Sequence, residues 1–488
     1  MAPAADSLLW LVAGGVLSLF GFGRWQHWAA PWIAPVFFLH FAQAVSPATA
    51  ALGIFAAYVI AIGISNWRVI PLPAWLYPGV AAVIAATQVA PYLIDRWLVP
   101  GLPLAAGVFV FPLAWVAMEF ASTRVSPSGA WGSAGYTQIR NRALMQLVAI
   151  TGLAGPGFLI AWFASMARML WERGLQAPGM SFSVATFALV LGTVMAGGWW
   201  RLARGARGRG VHVAAIGWPE GVLERDALAK LFSDGAARAQ VERWQPAFDS
   251  ILEHFLACSR EASRAGAQII AWPEVTVMVW RDAAGQVRER IAALARETGT
   301  FVCAGVGILE PGPGLGFDNK ALLFGPDGAL LADYTKTTAV PGFEARHGTR
   351  GSGTLQVVET AHGRVALAIC YDNDFPWLIR QAGAARVDLL IAPTSDWEEI
   401  RELHLASAAC RAIENGTALL RPTRWGVSAM VDALGRPVAR LDHTEKQSVI
   451  LIAELPVGAL ATLYPRLRDS FAWLCAAALL VLAVAAIR

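Results

Sequence analysis

At 488 residues the chain is long enough for more than one domain, and with 56% hydrophobic and 15% charged residues it is too apolar to be soluble throughout. Its net charge of +4 is mild, and it carries no Lys/Arg-rich run or basic–aromatic pattern of the kind nucleic-acid binders show. Five cysteines (Cys258, Cys303, Cys370, Cys410, Cys475) stand at irregular spacing, without a C-x-x-C pair or a Cys/His cluster of zinc spacing, so neither a disulfide framework nor a metal site is expected.

Charged residues are sparse up to about residue 200 and common from there to about residue 455, which separates a membrane part from a water-facing part. Apolar stretches of spanning length fall roughly at 7–23, 29–45, 48–66, 77–94, 98–120, 143–167 and 181–200. The first has no basic region before it and no cleavage pattern after it, and reads as a retained membrane helix. Trp199-Trp200-Arg201 and Asn66-Trp67-Arg68 suit headgroup depth. Glu119, near the end of the fifth stretch, is an acid in an apolar setting and so a functional hint. A last apolar stretch, 470–487, closes the chain. The expected organisation is a membrane domain of about seven transmembrane helices over 1–205, an α/β domain over 210–457 and a C-terminal transmembrane helix over 468–487.

In the water-facing part short β-rich runs alternate with helical ones. Strands are expected at 212–216, 268–272, 301–308, 321–324, 330–334, 365–370, 387–393, 418–421, 428–431 and 449–455. Helices are expected at 247–265, 289–297 and about 403–414, and Pro326-Asp327-Gly328 signals a hairpin turn. The pattern predicts two sheets covered by helices. Gly305 and Gly307 are too close together to form a glycine-rich phosphate loop.

Three polar residues stand at strand ends: Glu274 after Trp272-Pro273, Lys336 after Tyr334-Thr335, and Cys370 after an apolar run. Strand ends on one sheet edge converge, and a carboxylate, an ammonium and a thiol meeting there suit acyl transfer. The carboxylate takes the thiol proton, while the ammonium favours the thiolate and faces the oxyanion.

The order Trp-Pro-Glu, Tyr-x-Lys, Ile-Cys-Tyr resembles the nitrilase (carbon–nitrogen hydrolase) superfamily with its Glu-Lys-Cys triad. Arg411-Ala-Ile-Glu414-Asn415-Gly416, and Gly426-Val-Ser428 followed by Asp432-x-x-Gly435, are similar to that fold's helix end and closing hairpin. With apolar helices on both sides, the chain most resembles the apolipoprotein N-acyltransferase family, a resemblance supported by 135–155. It implies a multi-pass α-helical membrane domain joined to a nitrilase-like αββα sandwich. It implies that Cys370 takes an acyl chain from a phospholipid as a thioester and passes it to the N-terminal amine of a diacylglyceryl-modified lipoprotein, without a cofactor. It further implies supporting or substrate-binding roles for Glu344, Tyr371, Asp372 and Trp272, a monomer, and a bacterial inner-membrane location with the catalytic domain on the periplasmic face. Counting arginines in the loops points the other way, toward a cytoplasmic domain. The sequence departs from the family at Val340-Pro341-Gly342-Phe343-Glu344, at His212–Trp218 and at Pro393–Glu398, all at the mouth of the site, and has Asp372 where a glutamate is usual. The alternative is a membrane-anchored nitrilase-type amidohydrolase in which water resolves the thioester. The stretch 337–353 is the expected lid.

Overall fold

The computed structural model describes residues 4–206, 208–218, 242, 244–310, 316–444 and 449–488. The chain divides into two compact units, Met1–Arg204 with Arg466–Arg488, and Gly205–Pro465.

The first unit is helical. Among the described residues, five of its helices are long and apolar enough to cross a membrane: Pro47–Ser65, Tyr77–Gly101, Leu104–Val125, Met180–Ala203 and Ser470–Ile487. This is fewer than the sequence pattern suggests, because three of the expected stretches do not form one long helix. The first stretch forms only the 15-residue helix Ala4–Ser18, and the second only the 15-residue helix Ala30–Ala44. The sixth is broken: Arg142–Thr151 and Ala154–Arg173 meet at 118°, and counting them as one span gives six. Gly152 stands at the break with φ 61° and ψ −163°, a backbone open to glycine and closed to a side chain. The fifth helix sits later than the hydropathy suggests because Pro103 precedes it in an extended conformation.

Glu119 is partly buried in this unit. It accepts from the Ala134 amide at 2.9 Å and the Ser133 hydroxyl at 3.3 Å, so it ties the 126–138 connection to its helix. A second polar group is deeper. The Arg168 guanidinium bonds Asp95 at 3.0 Å and Glu172 at 2.9 Å, and Glu172 meets His40 Nδ1 at 3.2 Å. These ions join the helices Ala30–Ala44, Tyr77–Leu98 and Ala154–Arg173.

The second unit is an α/β sandwich. Its strands are β1 (Arg209–Ile216), β2 (Ile269–Ala271), β3 (Val277–Trp280), β4 (Phe301–Glu310), β5 (Gly316–Phe324), β6 (Leu330–Thr335), β7 (Val357–Thr360), β8 (Gly363–Leu367), β9 (Leu389–Ile391), β10 (Thr394–Ser395), β11 (Ala418–Arg421), β12 (Thr423–Arg424), β13 (Val427–Val431), β14 (Pro437–Asp442) and β15 (Ile450–Val457). One sheet runs β15-β1-β2-β4-β5-β6, with β3 also on β4; the other runs β14-β13-β11-β9-β8-β7. In each, the central strands are parallel and the outer ones antiparallel. The sheets meet through β1 and β15 against β11 and β13. Helices Gln245–Arg264 and Ala284–Thr298 cover the first sheet; Arg401–Asn415 covers the second, with Pro376–Ala384 packed beside it.

Burial on both faces explains why the parallel strands read as unbroken apolar runs rather than alternating ones. The helix Gln245–Arg264 shows the opposite pattern. Its Phe248, Ile251, Leu252, Phe255 and Leu256 form one buried stripe against the sheet, at helical spacing. Pro246 occupies its first turn, where no amide partner is lost.

Candidate active site

The parallel strands β2 and β8 and the antiparallel strand β6 end at one place. β2 continues through Trp272-Pro273 to Glu274, whose amide donates to the Thr394 carbonyl at 3.3 Å and so reaches β10, which pairs with β12 apart from the two large sheets. Lys336 follows β6 directly, its amide bonded to the Asn319 carbonyl at 2.9 Å. Cys370 lies just beyond β8, its amide bonded to the Pro393 carbonyl at 2.9 Å. Glu274 can approach because residue 305 is glycine: a Cβ there would lie 1.9 Å from the Pro273 carbonyl oxygen. The Gly305 that failed as a phosphate loop thus makes room for the turn that carries the acid.

The side chains meet. Lys336 Nζ donates to Glu274 Oε1 at 2.8 Å and to Glu344 Oε1 and Oε2 at 3.0 and 2.8 Å. Asn319 Nδ2 bridges the same two carboxylates, at 2.8 Å to Glu274 and 2.9 Å to Glu344. The Val340 amide fixes the outer oxygen of Glu344 at 3.0 Å. Glu274, Lys336 and Cys370 are 5%, 4% and 5% exposed. The thiol donates to the Ser395 carbonyl at 3.7 Å, and the charges of Glu274 and Lys336 both act on it.

These neighbours fix the resting charges. Burial alone would raise the Glu274 carboxyl, but the Lys336 ammonium and the Asn319 amide hold it below its ordinary value of 4.5. Burial works against the Lys336 charge, and the two glutamates overcome it, leaving the ammonium firmly protonated. Burial and the Glu274 charge together push the Cys370 thiol well above 9.0, against the pull of Lys336. The cluster therefore rests as carboxylate, ammonium and neutral thiol.

Backbone strain gathers here. Cys370 has φ 48°, Val275 has φ 50° and Trp425 has φ 59°, all in the left-handed region that side chains avoid. Cys370 opens a tight turn, Cys370–Asp374. Asp372, fully buried in that turn, accepts from Tyr334 at 2.8 Å, from the Thr338 amide and hydroxyl at 2.8 and 2.7 Å, and from the Ile369 amide at 3.0 Å. It clamps both flanks of Lys336 to the cysteine turn. Burial nevertheless pushes its carboxyl upward.

Of the other residues singled out in the sequence, Glu344 joins the cluster, from the short helix Phe343–His347 in the stretch expected to be a lid. That stretch is anchored by Gly351 to Lys336 and Thr349 to Phe317. Tyr371 is partly buried and stacks edge-on with Phe375 at 5.3 Å. Trp272 lies in the core, its indole donating to Ser259 at 2.9 Å and packed 5.4 Å from Phe255.

Sequence reasoning missed Asn319, Arg424 and His404. Arg424 lies between the rings of Trp218 and Trp425, at 4.8 and 4.4 Å. It donates to Ser395 Oγ at 3.1 and 3.2 Å and to the Val275 carbonyl at 3.3 Å, linking two segments that touch the thiol and the acid. The signal for Asn319 was present: Asp318-Asn319-Lys320 interrupts an otherwise apolar strand. His404, Ser407, Arg411 and Glu414 likewise form a polar stripe on the buried face of the helix Arg401–Asn415.

Two family models match the chain: the carbon-nitrogen hydrolase family over residues 235–464 and the apolipoprotein N-acyltransferase N-terminal domain over residues 14–166. Similar proteins include the apolipoprotein N-acyltransferase of Geobacter metallireducens, 28% identical over 458 residues that cover 88% of this chain and 81% of that one. The apolipoprotein N-acyltransferase of Methylococcus capsulatus is 24% identical over 501 residues, covering 93% and 91%. Among solved structures, an amidase from Nesterenkonia sp. is 22% identical with a TM-score of 0.42, covering 54% of this chain and 95% of its own. A carbon-nitrogen hydrolase from Helicobacter pylori is 18% identical with a TM-score of 0.41, covering 51% and 89%.

Proposed function

We infer, from a chain that carries a carbon-nitrogen hydrolase domain and an apolipoprotein N-acyltransferase N-terminal domain, that it is a membrane N-acyltransferase. It moves a fatty acyl chain from a phospholipid, through a Cys370 thioester, to the N-terminal amine of a diacylglyceryl-modified lipoprotein. It works in the bacterial inner membrane with its catalytic domain on the periplasmic face. The observation that carries the mechanism is one buried carboxylate, Glu274, that holds the Lys336 ammonium at 2.8 Å and lies within electrostatic reach of the Cys370 thiol.

The resting charges dictate the order of events. The thiol is neutral, so it attacks the ester carbonyl as its proton passes to Glu274. The new S–C bond leaves an oxyanion. Protonated Glu274 no longer holds the ammonium, and a Lys336 N–H turns to the oxyanion while Glu344 keeps its share. This differs from a lysine that faces the oxyanion from the start: at rest Lys336 is engaged by two carboxylates. Collapse expels the lysophospholipid alcohol, which takes the proton back from Glu274. The lipoprotein amine then attacks the thioester, gives a proton to Glu274, and the thiol is restored by that proton as the amide forms.

Purified protein given phospholipid with a labelled acyl chain and a synthetic diacylglyceryl-cysteine peptide is expected to yield the triacylated peptide. Ammonia release from small amides, with no turnover of lipid, would replace this reading with the amidohydrolase one. A reporter fused within 210–457 is expected to register as periplasmic; a cytoplasmic signal rules out a periplasmic acceptor.

A further inference from the structure

Behind the cysteine turn lies a second buried ionic group that the mechanism above does not use. His404 Nδ1 donates to Asp396 Oδ1 at 2.6 Å, and its Nε2 lies 3.6 Å from Asp374 Oδ2. Arg421 Nη2 donates to the other oxygen of Asp396 at 2.7 Å. Ser407 Oγ donates to Asp374 Oδ1 at 2.7 Å. All five residues are at most 2% exposed. They come from separate segments: Asp374 from the cysteine turn, Asp396 from the residue after Ser395, His404 and Ser407 from the helix Arg401–Asn415, and Arg421 from β11.

Two features tie this group to the thiol. Asp374 closes the turn that Cys370 opens. Asp396 directly follows Ser395, whose carbonyl faces the Cys370 sulfur at 3.7 Å. A buried carboxylate this close opposes formation of a thiolate. With both aspartates ionised the group holds two negative charges against one permanent cation, Arg421, and is neutral when His404 carries a proton; burial pushes the Asp374 carboxyl upward, against the pull of His404, Ser407 and Arg411.

We propose that His404 is a positioning residue that acts as an imidazolium, cancelling the Asp396 charge beside the Cys370 thiol and joining the cysteine turn to the Ser395 segment. This rests on reading Cys370 as the nucleophile. The charged groups facing the imidazole are Asp374, Asp396 and Arg421, with Arg411 beyond Asp374 on the same helix. Burial disfavours the imidazolium, and the two aspartates outweigh it, so the charge persists above the ordinary 6.5. The sign follows: the compensation is complete at lower pH and is lost as pH rises through the raised value.

The test reads the thiol itself. Full-length protein is alkylated with iodoacetamide across pH, and the Cys370 peptide is quantified by mass spectrometry. In His404→Asn, whose amide can replace the Nδ1–H donor without the charge, the Cys370 midpoint is expected to move up by about one pH unit, a roughly tenfold slower alkylation below it. Asp396→Asn alone is expected to move the midpoint down. The double variant is expected to return near the wild-type value, which disruption of the fold would not do. An unchanged midpoint in folded His404→Asn, or a double variant no nearer to wild type than the single, overturns the proposal. If His404→Asn fails to fold, Asp396→Asn decides: an unmoved or raised midpoint overturns it. Absence of acyl transfer from lipid in the wild-type protein overturns the functional reading instead, since alkylation does not depend on it.

Discussion

Two buried clusters in this protein have the same ionic recipe and different consequences. In the helical unit Arg168 lies between Asp95 and Glu172; in the sandwich Lys336 lies between Glu274 and Glu344. Both cations are nearly inaccessible to water. The first joins three helices through a planar fork suited to fixed bidentate pairing. The second adds a thiol held at φ 48°, with Val275 strained at the next residue after the acid. A buried ion cluster alone is therefore a fastening. A thiol in a strained turn, within electrostatic reach of one of the carboxylates, turns such a cluster into a candidate site.

Substitutions can break this contrast, beginning with the largest effect. Cys370→Ala is expected to reduce acyl transfer to background while leaving the melting temperature close to wild type, because the strained turn tolerates a smaller side chain. Next, Glu274→Gln keeps the shape and the bond from Lys336 but removes the proton acceptor. It is expected to slow thioester formation by about 10² to 10⁴-fold in single-turnover assays. A rate near wild type would remove Glu274 from the chemistry.

The matched pair Lys336→Met and Arg168→Met sharpens it. Each leaves one buried carboxylate, Asp95 or Glu274, and one partly exposed one, Glu172 or Glu344, without a cation, and is expected to cost about 3–5 kcal/mol in unfolding experiments. Only Lys336→Met should also abolish turnover per folded molecule. Equal loss of turnover in folded Arg168→Met would show that the helical cluster is more than a fastening.

Acid pH separates the clusters further. Glu274 is held below 4.5 in the folded protein, so its charge stabilises the fold above the ordinary carboxylate range, and that stability is lost as pH falls through the lowered value. The acid limb of thioester formation is accordingly expected below 4.5 in rapid-quench measurements. A limb near 6 would point to another base.

The smallest effect is on strain. Trp425→Gly relieves a positive φ and removes a ring from Arg424. It is expected to change stability by no more than about 1–3 kcal/mol while lowering the rate, through a loosened Ser395 segment. A faster enzyme would mean that the strain there serves nothing.

Most of the sandwich was legible because its parallel strands are buried on both faces and read as apolar runs between turn residues. The strand 418–421 falls where the pattern put it. Strands β3, β7, β10, β12 and β14 and the helix Pro376–Ala384 were not found, since they are short, directly follow a stronger motif or, as in β14, carry few buried residues. In the helical unit hydropathy located the apolar stretches but not their breaks. The bend at Gly152 depends on one φ angle, and hydropathy is blind to it. The three residues at strand ends could be named in advance because strand ends converge. Arg424 could not, and although the polar break at Asn319 and the polar stripe of His404 were visible, their partners were not: these lie 29, 45 and 8 positions away and only the fold brings them together.

The central claim is that the strained thiol becomes an acyl carrier at the expense of the Glu274 charge. The direct measurement is peptide mapping after incubation with labelled phospholipid and no acceptor. One hydroxylamine-labile acyl group is expected on the peptide containing Cys370, absent in Glu274→Gln, and discharged when a diacylated lipopeptide is added. An unmodified Cys370 in protein that still acylates the lipopeptide would contradict that claim.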